Sequence, residues 1–309
     1  MIMGRQTSSS ILMIEPVSFR YNEQTATNNY FQQEPGISST IIQEHALQEF
    51  NEMVDLIRSA GITVVVIRDN NKPPTPDSIF PNNWISFHEG GTSIVYPMYA
   101  ENRRNERRTD ILDILGINGF HYTNTIDLST YEKKHQYLEG TGSMVFDRCN
   151  NIAYAALSAR THPELFSFFC KKMGFKGVSF TANQQAGNMR RAVYHTNVMM
   201  CLGEQYAIVC LDSIDDIKER QQLISQLKAT EKAIIEISEE QMCNFAGNML
   251  QVRSNEGVLK LILSEASFKS LTNQQRNQLA TYNELIICAV PTIEKYGGGS
   301  VRCMIAELF

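Results

Sequence analysis

Tryptophan occurs once in this chain, at Trp84, and proline nine times in 309 residues. No Pro-, Gly- or Ser-rich stretch is long enough to act as a linker, so residues 1–309 are expected to form a single domain. The seven cysteines (Cys149, Cys170, Cys201, Cys210, Cys243, Cys288 and Cys303) are odd in number, scattered, and never spaced C-x-x-C. That pattern speaks against a disulfide framework and a zinc site, and for reduced thiols in a cytoplasmic protein. Positive charge is not in excess: 28 Lys and Arg stand against 33 Asp and Glu, which disfavours nucleic acid as a partner. The one dense basic run, Arg103 to Arg108, reads as a solvated helix face. Near the start, the apolar stretch Ile11–Ile14 is too short for a signal-peptide core or a membrane span, and no membrane partner is expected.

What the chain does contain is one phrase of hydrophobic periodicity repeated. Strand-like Ile79–His88 and Thr92–Met98 precede a helical stretch near Arg104–Leu115. Ser143–Asp147, Ile152–Leu157, a helix over Pro163–Met173 and Val178–Thr181 repeat the order. Val193–Cys201, Tyr206–Leu211, helix Asp216–Ala229 and Ala233–Ile237 give it again, as do Met249–Arg253, Val258–Leu263, helix Thr272–Tyr282 and Leu285–Val290. Strand Arg302–Phe309 is left without successors, and Ile11–Glu15, helix Ile42–Ala60 and Ile62–Ile67 lack a first strand. Joining the two ends completes a fifth strand–strand–helix–strand unit. No such unit buries both its helix face and its sheet face alone, so a ring of five units closed by the termini is expected. An ordinary three-layer α/β sandwich is the competing arrangement.

In such a ring the first strand of each unit begins near the axis. Asp77, Glu139, His195, Asn244 or Asn248, and Cys303 stand at those beginnings. A cysteine, a histidine and two carboxylates from separate segments suit attack on an electron-poor carbon that bears nitrogens. The thiolate attacks, the imidazole carries protons, and the carboxylates grip N–H groups. Gly297-Gly298-Gly299 before Cys303 would be a poor choice in a plain core strand. His162, beside Pro163, reads instead as part of a helix start, and Trp84 as core.

Several segments resemble one known family. GGGSVRCM at 297–304 is similar to the C-terminal nucleophile motif of the amidinotransferase and arginine deiminase superfamily, whose α/β fold is the pentein or five-bladed α/β propeller. LEGTGS at 138–143 resembles its Glu-Gly-Gly motif, YHTN at 194–197 its His-x-Asp/Asn segment, and DSIFPNNW at 77–84 its acidic substrate-holding turn. ALSART at 156–161 resembles a segment of the dimethylarginine hydrolases. The nearest branch by these motifs and by the N-terminal segment is the arginine deiminase-related proteins of citrulline use.

The resemblance implies a hydrolase, needing neither metal nor organic cofactor, for a small guanidino or ureido amino acid. Cys303 would attack, its pKa lowered by protonated His195 or by the substrate's own charge. An alkylating reagent is then expected to reach Cys303 first. Asp77 and Glu139 would hold the substrate nitrogens and Arg160 its carboxylate, with Phe80 and Asn83 of the acidic turn as further contacts. Arginine-cleaving relatives often carry an acid two residues after the histidine, where this chain has Asn197; a neutral ureido group such as that of citrulline fits an amide better. An amidinotransferase and a non-catalytic binding module are the rival functions. A homodimer is compatible with the sequence, and polar Thr25–Gln32 reads as a lid or a surface connection.

Overall fold

The computed structural model describes residues 4–70 and 72–309. It is a mixed α/β structure whose strands form five three-stranded sheets and one separate hairpin. Four sheets repeat one pattern along the chain. Ile85–His88 lies antiparallel to Thr92–Val95, which is parallel to Asn124–Asp127. Val145–Asp147, Ile152–Ala156 and Lys176–Phe180 follow suit, as do Met200–Leu202, Tyr206–Val209 and Ala233–Glu236. Leu250–Arg253, Leu259–Ser264 and Glu284–Cys288 make the fourth. The fifth sheet has the same pattern but takes its first strand from the far end: Ala306–Leu308 is antiparallel to Ser10–Glu15, which is parallel to Thr63–Arg68. The two termini thus share a sheet, with Leu12 opposite Ala306 and Ser10 opposite Leu308.

Each parallel pair requires a crossover, and a helix supplies the main ones. Helix Ser39–Ser59 begins where the Ser38 side chain accepts from the Ile41 N–H, and buries one stripe, Ile42, Ala46, Phe50, Met53, Val54 and Ile57. Helix Ile217–Ala229 is capped by Asp216, and Asn273–Tyr282 by a reciprocal Thr272/Gln275 box. Helix Pro163–Met173 has proline in its first turn and ends at Gly174 in the left-handed region.

The first strands are shorter than their apolar patterns suggested, for one recurring reason. The residues ahead of each strand coil into a tight turn or a single helical turn: Pro81–Asn83, Gly140–Ser143, Thr196–Met199, and the turns ending at Asn248 and before Ile305. Of the stretch expected as strand over 302–309, only Ala306–Leu308 is one. The turns lean on one another in order. Thr141 Oγ1 donates to the Asn82 carbonyl, Thr196 Oγ1 to that of Ser143, and Asn248 Nδ2 to that of Asn197, while the Arg302 N–H donates to Asn248 Oδ1. Gly140 has φ +50°, and a Cβ there would lie 2.2 Å from the Asn82 carbonyl oxygen, so no larger residue fits. Helical Arg104–Leu115 is in fact a 3-10 stretch, Glu101–Glu106, followed by helix Ile111–Ile117. The hairpin Asn183–Ala186/Met189–Ala192 had no counterpart in the repeat reading. Among the described residues no helix is long and apolar enough to cross a membrane.

The closing strand offers a direct test. Leu308 is buried with Leu12, Ile14, Val65 and Trp84 in one apolar cluster. Leu308→Ala is expected to cost about 2–5 kcal/mol in urea unfolding. An unchanged midpoint would show that the C-terminal strand adds little to the sheet it joins.

Candidate active site

The turns carry the reactive side chains to one place. Cys303 is 3% exposed. Its Sγ lies 3.2 Å from Asn248 Nδ2, 3.6 Å from Asn197 Nδ2 and 3.8 Å from Asn197 Oδ1. On another side it borders a small closed chamber together with Asp77, Phe80, Asn83, Arg160 and His195. The chamber has a volume of about 10 Å³, room for about one water molecule. Helix Pro291–Gly297 delivers the cysteine turn: Gly298 ends it at φ +62°, where a Cβ would press within 2.6 Å of Asn29 Nδ2. Of the asparagines considered at this unit, Asn248 meets the sulfur and Asn244 is exposed.

Glu139 is wholly buried behind the histidine. Its Oε2 is 2.7 Å from His195 Nε2 and 3.4 Å from Arg160 Nη1, and its Oε1 accepts from the Tyr99 N–H at 2.9 Å. Burial alone would raise its pKa, but Arg160 and the histidine hydrogen bond overcome that and hold it at about 2. Burial lowers His195 to about 4, although Glu139 pulls the other way. Both directions describe one state: a carboxylate accepting from a neutral imidazole, whose Nδ1 keeps its lone pair. Burial also raises the Cys303 thiol, against the pull of its hydrogen bonds and of Arg302. The site therefore holds a neutral thiol beside a neutral imidazole, and of the two sources of positive charge considered for Cys303 the protonated His195 is not present. Nor is Cys303 the most accessible thiol, since Cys243 is exposed and Cys303 buried.

Asp77 is held from two directions. Asn22 Nδ2 and Thr25 Oγ1 donate to its Oδ2 at 2.7 and 3.2 Å, and Arg103 Nε approaches to 3.7 Å. Its Oδ1 is buried with no partner among the described residues. Burial raises the Asp77 pKa in spite of Arg103. An unpaired acceptor bordering an enclosed space costs about 1–3 kcal/mol until a donor arrives. Asn83 Oδ1 accepts from Arg103 Nη1 at 2.7 Å, and Asn83 Nδ2 donates to Asn82 Oδ1.

Two of the expected site residues behave differently from their sequence reading. Glu139 does not border the chamber, because its oxygens are taken by His195, Arg160 and Tyr99. Asn197 touches the sulfur but lines a separate cavity of about 30 Å³ with Arg148 and Arg302. Arg103, read as part of a solvated basic face, is instead almost fully buried. It pairs through both Nε and Nη2 with Glu106 and donates from Nη2 to the Phe80 carbonyl at 3.2 Å. The sole hint of this in the sequence is an acid three residues on, inside an otherwise basic run.

The polar stretch suspected as a lid covers the chamber. Asn29 Nδ2 donates to the carbonyls of Gly297 and Gly298, Gln32 Nε2 to that of Tyr296, and Asn28 Oδ1 accepts from Arg160. Arg160 lies over the Tyr194 ring at 4.9 Å. Among the described residues no group of three or more His, Cys, Asp or Glu is placed to hold a metal ion.

Residues 15–309 match the family model described as N,N-dimethylarginine dimethylhydrolase, eukaryotic. No curated protein matches the sequence. Among solved structures the chain resembles ArgZ, an arginine dihydrolase from the ornithine–ammonia cycle in cyanobacteria, with TM-score 0.73 and 18% identity. That match covers 96% of this chain and 40% of ArgZ, so the chain spans well under half of that protein. The N-terminal domain of ArgZ, covalently bound to a reaction intermediate, matches over 97% of both chains, with TM-score 0.73 and 16% identity. DDAH from Pseudomonas aeruginosa complexed with citrulline matches over 98% of this chain and 99% of its own, at TM-score 0.65 and 16% identity. At such identities these structures speak to fold.

The buried histidine makes a pH prediction. With its folded pKa lowered from 6.5 to about 4, His195 stays neutral in the folded chain while the unfolded chain takes up a proton. Its stabilising contribution is complete above pH 6.5 and is lost as pH falls towards 4. His88, also buried and lowered well below 6.5, acts in the same window, whereas Glu139 loses its share only between about 4.5 and 2. His195→Gln is expected to flatten, without abolishing, the loss of unfolding free energy between pH 6.5 and 4.5. An identical slope in the variant would mean that the imidazole is charged in the folded state.

Proposed function

The chain belongs to the N,N-dimethylarginine dimethylhydrolase family, and we propose that it is a cysteine-nucleophile hydrolase that opens a C–N bond of a ureido or guanidino amino acid, with citrulline preferred. The observation that carries this reading is the meeting of Cys303, His195 and the unpaired Asp77 Oδ1 around one small chamber. Contact of the five inner turns in chain order, with both termini in one sheet, supports a closed five-bladed propeller in a single domain.

His195, neutral and oriented by Glu139, accepts the Cys303 proton at Nδ1 as sulfur attacks the central carbon. Asp77 Oδ1 accepts from a substrate N–H, which fixes the planar group in front of sulfur. Phe80 walls the chamber, and Arg160 binds the α-carboxylate once the lid has moved. His195 returns its proton to the leaving nitrogen, so ammonia departs and a thiocarbamate remains on sulfur. Water, deprotonated by the same imidazole, then displaces sulfur; the resulting carbamate loses carbon dioxide and leaves ornithine. Asn197 and Asn248 hold the sulfur rather than the substrate.

The preference for a ureido group rests on the donors and acceptors at the chamber. A guanidinium offers N–H groups alone, and the chamber has a single uncommitted carboxylate oxygen, on Asp77. Glu139 is committed elsewhere; of the neutral amides at the chamber, Asn29 gives both N–H groups to Gly297 and Gly298, while Asn83 gives one to Asn82 and keeps the other. A ureido carbonyl uses such a donor.

Incubation with citrulline, arginine, dimethylarginine and agmatine, with ammonia and ornithine both measured, tests the proposal. Citrulline should yield ornithine and ammonia fastest, and Cys303→Ala should be folded with activity at or below detection. Rapid conversion of arginine to citrulline with citrulline left untouched would overturn the ureido preference. Substantial turnover by Cys303→Ala would remove the covalent route.

A further inference from the structure

Arg160, assigned above to the substrate carboxylate, already has partners within the chain. Its Nε and Nη2 both donate to Asn28 Oδ1, at 2.8 and 2.5 Å, and Nη2 also donates to the Thr25 carbonyl at 2.9 Å. Its Nη1 faces Glu139 at 3.4 Å. Neighbouring N–H groups of a guanidinium converging on one side chain is the way arginine grips a carboxylate. Asn28 therefore offers Arg160 what the α-carboxylate of a substrate would offer. Both cannot hold that fork at once.

The other half of the same amide is unused. Asn28 Nδ2 is buried with no partner among the described residues. The segment thus holds an unpaired donor beside Arg160, while Asp77 Oδ1, at the chamber that Arg160 also lines, is an unpaired acceptor. A zwitterionic amino acid with a planar nitrogen-bearing head supplies what both need: N–H for Asp77, and carboxylate oxygens for Arg160 and Asn28. A chamber with room for about one water cannot admit such a molecule unless the segment from Asn22 to Gln33 lifts, which also withdraws Asn28 from Arg160.

We infer that Asn28 is a specificity-determining residue that reads the substrate α-carboxylate. It holds the Arg160 fork as seen here, yields it to an incoming carboxylate, and donates to that carboxylate from Nδ2 when the segment returns. The inference rests on the hydrolase reading above and adds a residue that the sequence did not single out.

Asn28→Asp and Asn28→Ala test it, each assayed with citrulline and with (4-aminobutyl)urea, its decarboxylated counterpart. Aspartate matches asparagine in shape but brings its own carboxylate to Arg160. It should raise KM for citrulline about tenfold or more, the scale of one charge-assisted contact, with a smaller change in kcat. The same variant should improve kcat/KM for (4-aminobutyl)urea, since the fork is now filled without help from substrate. Asn28→Ala should weaken citrulline without that gain. Equal losses on both substrates in both variants, or an unchanged ratio in Asn28→Asp, would overturn the inference and leave Asn28 a packing residue. If the unaltered protein hydrolyses neither compound, the hydrolase reading fails, and binding still decides this point. Ornithine should then raise the melting temperature more than putrescine does, with the order reversed in Asn28→Asp; the same order in both would overturn it.

Discussion

The close approach of neighbouring inner turns is the constraint on which the rest of the molecule depends. At Gly140 the backbone comes so near the Asn82 carbonyl that no side chain fits between them. Similar contacts run from Ser143 to Thr196, from Asn197 to Asn248 and from Asn248 to Arg302. Because each turn is bonded to the next, five short sheets with separate helices bring Asp77, Glu139, His195, Asn248 and Cys303 into one neighbourhood. The sheets themselves are small, three strands each, and would not place these side chains so closely by pairing alone.

The same crowding dictates the electrostatics. Arg103 and Arg160 are buried, and each has carboxylates to meet: Glu106 and Asp77 for the first, Glu139 for the second. A buried cation left without such a partner would destabilise the fold by several kcal/mol. Burial keeps His195 neutral although Glu139 pulls the other way, and Cys303, deprived of solvent, remains a thiol. Sulfur and imidazole are thus both uncharged before reaction. Proton transfer from sulfur to imidazole belongs to the encounter with substrate, and a thiol so protected is slow to oxidise or alkylate.

The lid belongs to this balance. Asn22 and Thr25 satisfy one oxygen of Asp77, Asn28 satisfies Arg160, and Asn29 and Gln32 satisfy carbonyls of the turn before Cys303. Asp77 Oδ1 and Asn28 Nδ2 remain without partners among the described residues. Each such buried, unpaired group costs about 1–3 kcal/mol, so these two positions weaken the hold of the segment rather than add to it.

The repeating strand–strand–helix–strand order and the sharing of a sheet by the two termini were legible in the sequence, because they follow from local periodicity and from which pieces lack partners. Helix Pro163–Met173 matches its expected limits, and the helices expected from Asp216 and Thr272 begin one residue later, with those residues as caps. That Cys303, His195, Asp77 and Glu139 would converge was legible too, since each stands just before a strand at a repeating interval. Their protonation and pairing were not. Whether Arg103 lies in water or under Asp77, whether Glu139 faces substrate or His195, and whether Asn197 meets the chamber or the sulfur all depend on desolvation and on distances between segments 26 to 106 residues apart. A sequence lists which groups can carry charge; only the packed structure decides how much water each one loses and which partner replaces it.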